Sequence, residues 1–346
     1  MNHKERFYAT IERRPVDRPA SWLGMPVSNA LPALYEYFNV KNIVELKQKL
    51  DDDIWPVDVP YHSPVSDHIA CAFDWVQEGQ SNYEERTLTI PGFFKDYVRC
   101  SDPTRVEEFD WPDPRKYMNS TECKAAVTTI PQNYANLGVL WSAHFQDALA
   151  AFGMENAMIA MMKNPDMFQA VIDRIADFYL VANEIFLKAT EGLIDCVLIG
   201  NDFGGQKGLM FNPKLIRKFV LPSTKKLIDQ AKEYNVKLIY HSCGSIHPLI
   251  PDLIQLGVDA IHPIQALASK MDIQTLKRDF GGQTSFCGGI DAQFLLVMGK
   301  PSEVSAKVME LKKKFPTGLI FSPSHEAIMP DTKPENIEAL FSALNS

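Results

Sequence analysis

No Gly-x-Gly-x-x-Gly turn follows a candidate strand in these 346 residues, which speaks against a nucleotide cofactor. No apolar run approaches the roughly 18 residues of a membrane-spanning helix. The opening Met1-Asn2-His3-Lys4-Glu5-Arg6 also lacks the apolar core of a signal peptide, so a cytoplasmic protein away from membranes is expected. Cations are in deficit: 35 Lys and Arg stand against 43 Asp and Glu, a net charge of −8, and this gives no general electrostatic case for binding nucleic acid. Cysteines are few, six in all and irregularly spaced, which excludes a disulfide framework. Linkers are missing too. No Ser/Gly tract or long charge block divides the chain, so one domain over 1–346 is expected.

What recurs is a short apolar run followed by a longer helical pattern. The runs are Arg18–Met25, Asp52–Asp58, Leu137–His144, Ile194–Gly200, Val236–His241, Val258–Ile264, Thr284–Gly289 and Gly318–Pro323. They are continuous and flanked by turn residues, as strands covered on both faces should be. Pro165, Asn212-Pro213, Pro301 and Pro334 each sit where a helix begins. Eight such units predict an α/β fold, a (β/α)₈ TIM barrel. The long interval 66–131 is instead β-leaning at Phe73–Val76, Arg86–Ile90 and Phe94–Val98. It predicts a small antiparallel β excursion between strands two and three.

Barrel chemistry gathers at the carboxyl ends of the strands. Those ends carry Asp58, His144, Gln146, Asn201, Asp202, His241, Cys243, His262, Gln265, Cys287, His325 and Glu326. The sharpest pattern is His241-x-Cys243, since side chains two apart on a strand share a face. An imidazole beside a thiolate suits zinc rather than magnesium or calcium. A catalytic zinc takes three protein ligands and keeps one position open. The third comes from another strand: His325 first, then Glu326, then Cys287. Asp202 is placed to orient a substrate or exchange a proton. His144, Gln146, Asn201, Asp58, His262 and Gln265 are candidate substrate contacts.

The stretch from Lys237 to Gln265 (KLIYHSCGSIHPLIPDLIQLGVDAIHPIQ) resembles the uroporphyrinogen decarboxylase superfamily. So do Cys287–Leu296 (CGGIDAQFLL), Asn201–Pro213 (NDFGGQKGLMFNP) and Ser322–Leu340 (SPSHEAIMPDTKPENIEAL). The resemblance implies a (β/α)₈ barrel and one of two chemistries. The decarboxylases carry an arginine-rich loop after strand one that grips substrate carboxylates; here Gly24-Met25-Pro26-Val27-Ser28-Asn29-Ala30 has no arginine. The corrinoid-dependent methyltransferases resemble the chain better, because their zinc motif opens with His-x-Cys. Where they carry a third cysteine, this chain has His325-Glu326.

The resemblance therefore implies zinc at His241 and Cys243, and a methyl group moved between a small substrate and a corrinoid. No Asp-x-His-x-x-Gly segment is present, so the cobalamin would arrive on a separate corrinoid protein. Two other readings stay open: a decarboxylase-like lyase using Asp202 and His325, and a non-catalytic barrel holding a tetrapyrrole or small ligand.

Overall fold

The computed structural model describes residues 1–75 and 90–346. Seven parallel strands form one sheet in sequence order: β2 (Ile54–Asp58), β3 (Ala135–Trp141), β4 (Cys196–Gly200), β5 (Lys237–His241), β6 (Ala260–Ile264), β7 (Ser285–Ile290) and β8 (Leu319–Pro323). Two further short strands, β1 (Met25–Pro26) and β9 (Ala327–Ile328), pair with each other in parallel. The sheet curls so that both edges meet one segment. Trp22 N–H donates to Phe321 O (2.9 Å) and Phe321 N–H to Ala20 O (2.8 Å) on the β8 side, while Asp53 N–H reaches Ser21 O (3.3 Å) beside β2.

The strands are short and apolar because both faces are covered. Every residue of β4, β6, β7 and β8 is buried. Alternation sorts their side chains into two cores. Cys196, Leu198, Ile239, Ala260, Cys287 and Ile320 pack inside the curl with Trp22 and Ile54. Val197, Ile199, Leu238, Tyr240, Ile261 and Phe321 face the outer helices. Continued by two residues, the same alternation turns His241 and His262 inward, at the carboxyl ends of neighbouring strands.

Helices begin at Pro165, Pro213, Pro301 and Pro334, as expected. Asn212 caps the second of these, accepting the Lys214 N–H at 2.9 Å.

The long interval differs from its expectation. Its described part contains helical turns at Ile69–Cys71, Phe93–Arg99, Pro103–Glu108 and Pro114–Tyr117, then the helix Ser120–Thr128. Phe94–Val98 is therefore helical, not extended. Most of the Arg86–Ile90 run, and Val76, lie outside the described residues. The aromatic residues that read as β-leaning instead stack on one another. Trp75 lies 4.8 Å from Phe73 and 4.7 Å from Phe109, and Phe73 packs on Phe178 of the long helix Pro165–Ala189 at 4.7 Å. Aromatic β-propensity expresses a fit to a half-buried surface, and here a helix supplies that surface. Among the described residues, no helix is long and apolar enough to cross a membrane.

Candidate metal centre

Two loops must approach closely for a site to form at the end of β5. Gly244 has φ +77°, and a Cβ there would lie 2.3 Å from the Gly204 carbonyl oxygen. Only glycine permits this contact between the β4 and β5 loops. It brings Asp202 beside Cys243, whose backbone N–H donates to Asp202 Oδ1 at 2.8 Å. His241 Nε2 then stands 3.4 Å from Cys243 Sγ and 3.3 Å from Asp202 Oδ1.

A second close approach operates at β9. Gly24, at φ +89°, lies against the backbone of Glu326, where a Cβ would sit 2.3 Å from the Glu326 carbonyl oxygen. Met25 N–H donates to that oxygen at 2.7 Å. Glu326 is thereby turned inward, with Oε2 3.5 Å from His241 Nδ1. His262 Nδ1 lies 3.0 Å from the same nitrogen.

His241 thus joins two groups of donors. Asp202, His241 and Cys243 form one, and His241, His262 and Glu326 the other; within each group the donor atoms lie within 4.8 Å of one another. Bonds of roughly 2.0–2.3 Å at tetrahedral angles put neighbouring ligand atoms about 3.3–3.6 Å apart. The two contacts of His241 Nε2 match that spacing, so the first group fits a zinc ion.

The electrostatics also favour a cation. Burial opposes charge on His241, but Glu326, Cys243 and Asp202 outweigh it and hold the imidazole pKa well above its usual value. Burial likewise works against the Asp202 carboxylate, yet His241 and the Cys243 amide bring its pKa down to about 2. His262 is the reverse case: burial, then the nearby His241 and His325, push its pKa far down and keep it neutral.

His325 belongs to neither donor group. Its Nδ1 accepts the Ala327 N–H at 3.1 Å. A neutral ring held in this way carries its proton on Nε2 and offers a donor there, not a lone pair. Contact with Cys243 raises the His325 pKa, against the effect of burial. His325 also lines a cavity of about 250 Å³ with Gln206, Gln265, Leu267, Asp291 and Ser324. Gln265 is a second expected contact at this cavity, and its Oε1 accepts the Gly244 N–H at 2.8 Å.

The other candidates lie apart. Cys287 is fully buried in the inner core, where burial pushes its thiol pKa up strongly, and it joins neither donor group. His144 is buried with its ring nitrogens 3.0 Å from Ser142 O and 3.3 Å from Val220 O. Asn201 is buried; its Oδ1 accepts the Phe145 N–H at 2.8 Å and its Nδ2 donates to the Tyr240 hydroxyl at 3.2 Å. These two tie strand ends together. Gln146 is part-buried, and its Oε1 has no hydrogen-bond partner among the described residues. Asp58 is exposed at the end of β2, outside both groups. His262 faces His241 instead of the cavity.

Sequence reasoning missed the pairing of Asp202 with Cys243 and of Glu326 with His241. The glycines that permit both contacts, Gly24, Gly204 and Gly244, were the available signal.

Residues 90–346 match the model of the uroporphyrinogen decarboxylase (URO-D) family. The methylcobamide:CoM methyltransferase MtbA of Methanosarcina mazei is 27% identical over 142 residues, 41% of this chain and 39% of that protein. The match thus spans about two fifths of the curated relative's length. A solved methyltransferase from Methanosarcina mazei superposes with a TM-score of 0.71 at 16% identity, covering 100% of this chain and 98% of the other. That likeness is one of fold. The chain belongs to the uroporphyrinogen decarboxylase family.

Proposed function

We propose that this family member is a zinc-dependent methyltransferase, moving a methyl group between a small substrate and a corrinoid carried by a separate protein. The observation that carries the reading is the Asp202–His241–Cys243 group, spaced for one tetrahedral ion at the carboxyl end of the sheet. Bound there, zinc would supply Lewis acidity, activating a thiol as thiolate or improving an ether or amine leaving group. His241, Cys243 and Asp202 would hold it, with Asp202 in the place first assigned to His325. The fourth position stays open to substrate.

His325 lines the cavity, and with its Nδ1 accepting the Ala327 N–H its Nε2 is the nitrogen that can donate a proton or hydrogen bond to a leaving atom there. Gln265 holds the Gly244 amide and so the loop that carries Cys243. The hydrogen bonds of Ser21 and Trp22 to Asp53 and Phe321 support Ala20–Leu23 as the eighth stave of a closed (β/α)₈ barrel. A partner at the cavity is supported by apolar side chains left in solvent on its lining: Leu267 is 60% exposed and Met329 51%. The partial match to a protein named for methylcobamide supports a corrinoid partner.

The test is metal analysis of the purified protein against Cys243→Ser, with methyl transfer followed by the absorbance of a corrinoid protein. About one zinc per chain, lost in the variant, and a change in the methylation state of the corrinoid are expected. Decarboxylation of uroporphyrinogen to a porphyrinogen with fewer carboxylates, with no zinc bound, would overturn the reading in favour of a lyase.

A further inference from the structure

We propose that Glu326 and His262 are positioning residues that fix the tautomer of His241, placing its proton on Nδ1 and its Nε2 lone pair toward Cys243 and Asp202. This deepens the zinc reading of the same site and rests on it. A neutral imidazole carries one ring proton, and the partner of one nitrogen decides what the other can do. For Nε2 to bind a metal beside Cys243 Sγ, the proton must sit on Nδ1. Two acceptors converge there: His262 Nδ1 at 3.0 Å and Glu326 Oε2 at 3.5 Å.

Both acceptors are committed to this contact. His262 is fully buried and Glu326 is 8% exposed. Neither Glu326 Oε2 nor His262 Nε2 has a hydrogen-bond partner among the described residues. Glu326 Oε2 faces two imidazole nitrogens, His241 Nδ1 at 3.5 Å and His325 Nδ1 at 3.6 Å, but the latter accepts the Ala327 N–H and so offers no proton, which leaves His241 as the donor. Each is also held from behind. Strand pairing sets His262 directly opposite His241, and the Trp22 ring packs 5.2 Å from the His262 ring. The Gly24–Met25 backbone grips Glu326. The two donor groups share only His241, so Glu326 acts through the imidazole and not as a ligand beside Cys243.

The whole chain can be tested as four variants: Glu326→Ala, Glu326→Gln, His262→Leu and His262→Asn. Zinc affinity is read by chelator competition, and cobalt substitution reports the ligands through the thiolate charge-transfer band. Ala and Leu should weaken zinc about 10–100-fold, the range for a lost outer partner of a metal-bound histidine. Gln and Asn keep an acceptor near Nδ1 and should stay within several-fold of wild type. The cobalt band should persist in all four. Gln as weak as Ala, with an altered cobalt spectrum, would make Glu326 a direct ligand and overturn the proposal; unchanged affinity in Ala and Leu would also overturn it.

A variant that does not fold is bypassed by nitrogen NMR of histidine-labelled wild type. The zinc-loaded protein should show His241 protonated on Nδ1, and a proton on Nε2 would sink the idea. Wild type that binds no zinc defeats the metal reading itself, an outcome distinct from any pattern among the variants.

Discussion

At the amino end of the sheet, the buried Asp53 carboxylate is saturated with donors. Oδ1 receives Arg6 at 2.6 Å and faces His3 Nδ1 at 2.9 Å; Oδ2 receives Arg18 at 2.6 Å and the Ser21 N–H at 2.8 Å. Its neighbour Asp52 is paired with the buried Lys47 and accepts the Leu23 N–H at 3.1 Å. At the carboxyl end, His262 Nε2 and Trp22 Nε1 are equally buried but have no hydrogen-bond partner among the described residues, and Glu326 Oε2 meets only imidazole nitrogens at 3.5 and 3.6 Å. Burying polar groups without partners costs stability, and a fold tolerates that cost chiefly where a site needs it. One end of the same sheet is built to hold together, the other to bind.

The comparison breaks most visibly at His241. In His241→Ala, methyl transfer should fall by about three orders of magnitude or more, because the metal loses a ligand and its Lewis acidity with it. Corrinoid absorbance reads this directly. Urea unfolding of the metal-free variant should match metal-free wild type within about 1 kcal/mol, the size of an ordinary substitution. A large loss of stability instead would mean that the carboxyl end carries structural weight too.

Asp53→Asn tests the other end. Removing one partner of a buried ion network strands the others, here Arg6 and Arg18, and typically costs about 3–5 kcal/mol. Zinc content should not change. Burial works to raise the Asp53 pKa, but His3, Arg18 and Arg6 prevail and hold it below the usual carboxylate value. A depressed folded pKa gives stability that is complete above the unfolded value, about 3.9, and lost as pH falls below it. Wild-type stability should therefore decline in acid more steeply than that of Asp53→Asn. Parallel curves between pH 6 and pH 3 would remove this ion network from the argument.

Asp202→Asn sharpens the boundary of the binding end. As a ligand, Asp202 should cost zinc affinity more than the roughly 100-fold upper limit for an outer-sphere partner. A loss below tenfold by chelator competition would return Asp202 to the role of a loop anchor for Cys243, and His325 would again be the candidate third ligand.

The two ends also differ in how much of them the sequence discloses. His241 and Cys243 are legible as neighbours because one strand carries both and its period is two. Most strand runs are legible for a similar reason: continuous burial leaves continuous apolar residues. The Asp202–Cys243 and Glu326–His241 contacts depend on loops crossing within van der Waals reach, and a chain read in one dimension shows only the glycines, not what they touch. In the interval 66–131 the aromatic residues of Phe73, Trp75 and Phe94 carry no period. Their choice between a strand and helical turns is made by the long helix beneath them.

The smallest effect concerns Asp291, a carboxylate at the cavity that belongs to the architecture. Its Oδ2 accepts the N–H groups of Phe294 at 2.9 Å and Leu295 at 2.8 Å, and Oδ1 accepts that of Gln293 at 3.2 Å. These bonds satisfy the amides that open the short helix Leu295–Met298, the work of a capping side chain. Asp291→Ala should therefore cost about 1 kcal/mol of stability, within the usual range for a lost cap, while Asp291→Asn, which keeps an acceptor, should cost a few tenths at most. Neither should change zinc affinity, since Asp291 belongs to neither donor group. If Asp291→Asn instead leaves stability intact but raises the KM for the methyl substrate by tenfold or more, the carboxylate reads substrate charge, and the binding end includes the end of β7 as well as the strand ends that carry the donor groups.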